Sequence, residues 1–302
     1  MSRSPLGWVK ALARGWTEFW VPASTGASAG LLRVAVGLVA LWNAVAVCAN
    51  FDRYFSDSGM MPWAQLEGRV ASKWTLFAIA PTNDAWGWTL AAAQVVVAVT
   101  LLIGALPRAS AAAAWILALS FAWRNQYLPN GGDMLLGILL FLLIFAPIDR
   151  QLVVYVPRWR RRQMRRFPAN GLVLRVISIQ FAWVYFVTGL HKLWSPAWQE
   201  GYAMRLVLRH TAFARWPTDI DSVVLTLSTW AILAFEVLFP LVFVPRLRRY
   251  FLIAGLVFHA GIEATMLIPT FSVMMAVSYL AFVPDAVSQP WIDAVRRRLA
   301  TS

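Results

Sequence analysis

Apolar residues run through this chain in long blocks, broken by short polar, Gly- and Pro-containing segments. The runs fall at about 31–50, 86–106, 109–124, 133–148, 171–194, 223–245, 250–268 and 271–285. A helix needs about 20 mostly apolar residues to cross a bilayer. The first, second, fifth, sixth and seventh runs meet that length, whereas the third, fourth and eighth need a thin region or shielding neighbours. The pattern predicts an all-α polytopic membrane protein with about eight transmembrane helices in one bundle. Two flanking segments read as interfacial helices. In residues 8–20, Trp8, Leu12 and Phe19 share one face with Lys10 and Arg14 elsewhere. Residues 289–299 begin near Pro290, a residue favoured in a first helical turn, and line up Trp291, Val295 and Leu299.

Composition supports this reading. Hydrophobic residues make up 60% and charged ones 14%, against about 25% charged in a soluble domain, which excludes disorder and an ordinary soluble fold. The single cysteine, Cys48, excludes an intrachain disulfide, and three separated histidines give no metal set. No cleavable signal peptide is expected, because the first apolar run is of full spanning length.

The net charge of +13 suggests nucleic acid until its distribution is examined. With a cytoplasmic N-terminus, 17 of the 27 Lys and Arg fall on inner segments, seven on outer loops and three within spans. This inside bias predicts eight crossings with both termini cytoplasmic in the cell (inner or plasma) membrane. The run Arg158–Arg166 then faces anionic membrane lipid, and no nucleic-acid partner is expected. Domain boundaries follow: an interfacial segment over 1–30, a transmembrane domain over 31–285 and a basic tail over 286–302.

The polar motifs gather on the outer side. SDSG after the first run and NGGD, with Asp133, before the fourth read equally well as tight turns or as parts of a site. Lys192 stands about 3 Å inside the outer end of its helix. It shares a polar stripe with Tyr185, Thr188 and Ser178, and such a stripe faces protein or a cavity rather than lipid. A lysine packed among tryptophans and aliphatics loses the hydration its ammonium needs, which makes the neutral amine accessible as a general base. The alternative is a lysine that snorkels to the interface. Glu236, His259 and Glu263 are the other ionisable groups within spans, where charge is costly. His259 and Glu263, one turn apart, are expected to pair with each other. Glu236, about 20 Å below its helix's outer end, is expected to lie too deep for Lys192 and to serve helix packing or a relay. Lys192 is then left to Tyr185, Asn125 and the tryptophans. A carboxylate beside it would work against a base role.

The stretch Val184-Tyr185-Phe186, Gly189, Lys192-Leu193, Trp198, Glu200-Gly201-Tyr202, Met204 and Arg209-His210 resembles the VYFxxGxKKL…W…EGY segment of the vitamin K-dependent γ-carboxylase superfamily, also called the HTTM domain. Phe258-His259 followed by Phe271-Ser272 is similar to that family's FH…FS pattern, and Glu236 with Pro240 and the NGGD loop resemble bacterial HTTM-only members. The resemblance implies a reduced, vitamin K-like quinone as cofactor, oxygen-dependent proton abstraction and Lys192 as the initiating amine. His191 stands where the family has its first lysine, and Asn125-Gln126 where it has Asn-His. The family's large lumenal peptide-binding region has no counterpart in these 302 residues. Small bacterial relatives include the membrane component of a sporulation-delaying toxin maturation system, so a secreted peptide or a partner maturation protein is an expected partner. Two readings stay open: carboxylase-like peptide-maturation chemistry around Lys192, supported by the residues above, or a non-catalytic scaffold, binding or immunity factor.

Overall fold

The computed structural model describes residues 5–65, 74–79, 83–216, 220–268 and 270–301. Arg3, Arg69 and Lys73 of the charge count lie outside them. Its longer helices are α1 (Pro5–Trp20), α2 (Ala27–Ala49), α3 (Asp84–Ile103), α4 (Pro107–Arg124), α5 (Gly131–Leu143) and α6 (Arg158–Arg166). They continue with α7 (Leu172–Leu193), α8 (Ser222–Leu238), α9 (Pro245–Thr265), α10 (Phe271–Ser278) and α11 (Asp285–Thr301). The only sheet among the described residues is a two-residue antiparallel pair, Ala23–Ser24 with Ala169–Asn170. The fold is all-α.

Each of the eight apolar runs contains a helix. Among the described residues, four helical segments are long and apolar enough to cross a membrane: Ala27–Ala49, Asp84–Ile103, Leu172–Leu193 and Ser222–Phe243. Phe271–Phe282 and Asp285–Arg298, bent by 105° at their break, would bring the number to five if the pair forms one broken span. The fourth run shortens to the 13 residues of α5, and α9 starts early enough to include Arg246, Arg248 and Arg249. Exposed Trp42, Trp88, Trp183 and Trp230 show apolar surface on the spanning helices.

The chain divides into two compact units, 1–176 with 280–302 and 177–279. In the first, α2 packs on α3 and α5, α4 packs on α3 and α5, and α11 lies against α2. Small residues (Ala29, Ala40, Ala91, Ala98, Ala111, Ala114) are buried in these helices together with Leu32, Leu101 and Leu139. Small side chains let helix backbones approach where lipid offers no hydrophobic gain.

This unit is closed by polar side chains on backbone groups. Arg33, fully buried, donates to the carbonyls of Leu101 and Leu102 at the end of α3 and to Leu152. These are the carbonyls that a helix end leaves unpaired. Arg124, also fully buried, donates to the carbonyls of Phe55, Ser56 and Met61 and stacks over Trp63 at 4.0 Å. The carbonyls of the segment that follows α2 hold it at the end of α4. Asp285 accepts from Ser24 Oγ, Thr25 N, Gly26 N and Ser28 N, capping the start of α2.

Pro290, expected at a helix start, sits inside α11. The helix begins five residues earlier because Asp285 is anchored there and the amides of Val287 and Ser288 already donate to the Pro284 carbonyl. On α1, Trp8, Leu12 and Phe19 are exposed, as are Lys10 and Arg14.

Replacing Arg33 by Met keeps its apolar stem and removes the side-chain donor from three carbonyls, of which Leu101 O keeps the Gly104 amide. The variant is expected to lose about 3 kcal/mol of stability, read as a lower thermal unfolding midpoint in detergent. An unchanged midpoint would show that these carbonyls do not depend on the guanidinium.

Candidate functional site

The second unit holds the chemistry. On α7, Tyr185, Thr188 and Lys192 lie at successive levels of one face. Tyr185, 2% exposed, has its hydroxyl 2.5 Å from His259 Nε2 on α9 and 2.5 Å from the Tyr279 hydroxyl. Its ring stacks on Phe239 at 4.1 Å and meets Phe235 edge-on at 5.5 Å. Aromatic contacts of this kind fix the ring, and a buried phenol must find a polar partner.

Two turns further along α7, the Lys192 ammonium makes an ion pair with Glu236 Oε1 on α8. It also lies 4.5 Å from the Trp198 ring centre, a cation–π distance. The lysine side chain is 23% exposed and that of Glu236 6%, so the pair has one open side, at the lysine. Thr188 lies near the same carboxylate, and its hydroxyl donates to the carbonyls of Val184 and Tyr185. Glu236 Oε2 and His259 Nδ1 are buried without a hydrogen-bond partner.

This pairing corrects the expectation that Glu236 lies too deep for Lys192. Depth counted along each helix assumes that all helices start in one plane. The register is set instead by Gly189, where a Cβ would come within 2.9 Å of Val237 N and 3.1 Å of the Glu236 carbonyl carbon. With residue 189 level with 236–237, Lys192 stands one turn away and reaches the carboxylate. Gly255 plays a similar part under Tyr279, whose hydroxyl would lie 2.0 Å from a Cβ there.

The expected His259–Glu263 pair does not form. His259 turns into the bundle toward Tyr185, while Glu263 Oε1 takes Arg215 Nη2 at 3.2 Å. Arg215 also donates to the carbonyls of Glu263 and Met266, tying the loop before α8 to the end of α9. Adjacent positions on one helix therefore face different partners, and an arginine from the loop outcompetes the histidine. His191 is exposed and points away from the pair.

Of the expected neighbours of Lys192 (Tyr185, Asn125 and the tryptophans), Trp198 lies beside the ammonium, and its charge partner is Glu236. The Asn125 amide is used inside the first unit, donating to Tyr54 O and accepting from Tyr127 N. Asp133 completes a capping box with Asn130 and accepts from Asn43, which in turn accepts from Gln94. Tyr279 was missed by sequence reasoning. Its signal was available: a lone phenol in an apolar run that has to bury its hydroxyl. Among the described residues, no three His, Cys, Asp or Glu side chains gather as a metal set.

A bundle of apolar helices with ionisable groups paired between them defines a membrane protein. The chain belongs to the HTTM domain family, whose model matches residues 23–286. No curated protein and no solved structure matches it.

Gly189→Ala is expected to force α7 and α8 apart and to lower stability by about 1–3 kcal/mol. Thermal unfolding of the purified protein measures this. A variant as stable as the parent would show that the close approach does not set the register.

Proposed function

We propose that this HTTM protein crosses the cell membrane eight times, with both termini inside, and that Lys192 and Glu236 form an outward-facing proton-transfer site used to mature a peptide together with a partner protein. The observation that carries this reading is the ion pair with one open side. Lys192 is partly exposed beside Trp198, and Glu236 is buried behind it.

The chemistry needs both groups. An ammonium held in an ion pair is not free to act as a base. In an apolar setting, however, ion pair and neutral pair come close in energy, because separated charge is poorly solvated there. Glu236 Oε1 can take a proton from Lys192, and the amine so formed can take one from a substrate at the open side. Glu236 is therefore a proton acceptor for Lys192, reached through it and not directly by substrate.

The resemblance implies a reduced quinone, which would supply a strong base after reaction with oxygen. The residues around Tyr185 do not fit one. Phe235, Phe239 and Tyr279 already pack against Tyr185 or one another at ring-centre distances of 4.1–6.1 Å. A further ring at Tyr185 would have to displace one of these aromatic contacts. A second reading treats the pair as a structural staple in a binding scaffold. The close Gly189 contact favours it, because it makes helix packing depend on the same residues.

Topology is tested with single cysteines in a Cys48→Ala background. Ser58→Cys and Asn130→Cys are expected to react with an impermeant thiol reagent in intact cells, and Ala169→Cys only after permeabilisation. Labelling of Ala169→Cys from outside would overturn the orientation.

The role of the pair is tested by Lys192→Met, Glu236→Leu and the double variant. Each single change leaves a partner unpaired and is expected to cost about 3 kcal/mol, with most of it regained in the double variant. The double variant should fold and yet fail to modify peptides released by cells carrying the gene with its genomic neighbours, as read by mass spectrometry. Retained modification in that variant would leave the scaffold reading in place.

A further inference from the structure

In the first unit, Arg108 at the start of α4, Arg150 after α5, and Arg160 and Gln163 on α6 surround a pocket of about 250 Å³. Phe167, Pro168, Ala169 and Asn170 form its remaining wall. The arginines are held rather than loose. Arg150 donates to the carbonyls of Met164 and Phe167, closing the end of α6. Asp149, almost fully buried, pairs with Arg160 Nε at 2.5 Å and approaches Arg108 Nε at 3.3 Å.

Three guanidiniums thus stand around one carboxylate that contacts only two of them, Arg108 and Arg160, leaving the pocket with an excess of two positive charges. The single acid is also underused: Asp149 Oδ1 and Arg108 Nε are both buried without a hydrogen-bond partner. Each guanidinium carries five donors in a planar fork, the geometry that takes two oxygens of one tetrahedral anion. Arg161, Arg162, Arg165 and Arg166 on α6 add to the positive field at the mouth. Phe167 and Pro168 supply an apolar edge that a bare inorganic anion would not use.

We propose that this pocket binds the phosphate group of a phosphorylated ligand, with Arg108 and Arg160 as its forks and Asp149 as the brace that sets their spacing. Two sources share this chemistry, the headgroup of an anionic phospholipid and a soluble phosphorylated molecule. The site is independent of the Lys192 reading.

The test uses the full chain purified in detergent. Native mass spectrometry with added dioleoyl phosphatidylglycerol and calorimetry with inorganic phosphate are run in parallel. Saturable one-to-one binding of the lipid alone assigns a headgroup, and binding of phosphate assigns a soluble ligand; either supports the pocket. Arg108→Gln should weaken the observed binding about tenfold. Arg162→Gln removes the same charge outside the pocket and should change it by less than about twofold. Asp149→Asn keeps one oxygen that can accept from both guanidiniums, so the brace remains while the local charge rises, and binding should be preserved or tightened. If Arg108→Gln fails to fold, judged by its elution profile, the Asp149→Asn result decides, and weaker binding there overturns the proposal. No saturable binding of either probe, or equal effects of Arg108→Gln and Arg162→Gln, also overturns it.

Discussion

A chain this apolar leaves its backbone carbonyls and charges no water to turn to, and pairing them is the constraint on which the structure rests. Arg33 and Arg124 show how it is met. Both are fully buried and both give their guanidiniums to carbonyls at helix ends and turns rather than to carboxylates. One guanidinium satisfies several carbonyls at once, which makes arginine better suited to the task than lysine. Asp285 does the reverse at the start of α2, collecting amide and hydroxyl donors on one carboxylate. Buried charges here are fasteners as often as they are chemistry, and each must be judged by what it touches.

That constraint explains what could be read from the sequence. The eight apolar runs predicted helices because length and composition are local properties, and each run does hold a helix. The motif around Tyr185, Gly189 and Lys192 placed the chain in its family, and the family model matches residues 23–286. The polar stripe on α7 was legible too, because i, i+3 and i+7 share a face on any helix. Partners across helices were not. Sequence spacing suggested His259 with Glu263 and left Glu236 too deep. The structure pairs His259 with Tyr185, Glu263 with Arg215 and Glu236 with Lys192. Asn125 and Asp133, grouped with the site by their outer position, spend their hydrogen bonds on local turns and caps. Which helix residue stands level with which depends on contacts such as Gly189 against Val237, and no count along a single helix contains that information.

The layering on α7 has a mechanical consequence. Tyr185 meets α9 through His259 and also bonds Tyr279, while Lys192 meets α8 through Glu236. One helix face therefore carries two polar contacts to different neighbours, with Thr188 between them. Phe235 and Phe239 bridge the same levels, since both pack against Tyr185 and flank Glu236 in sequence. A rotation or sliding of α7 large enough to open the Lys192 pair would also disturb the Tyr185 hydroxyl cluster, because packed aromatic rings do not yield smoothly. Lys192 can thus release Glu236 only by moving its own side chain, whose flexible stem lies on the exposed side beside Trp198. The packed part of the site is the carboxylate and the aromatic cluster behind it; the part-exposed lysine is the side of the pair that a substrate could reach.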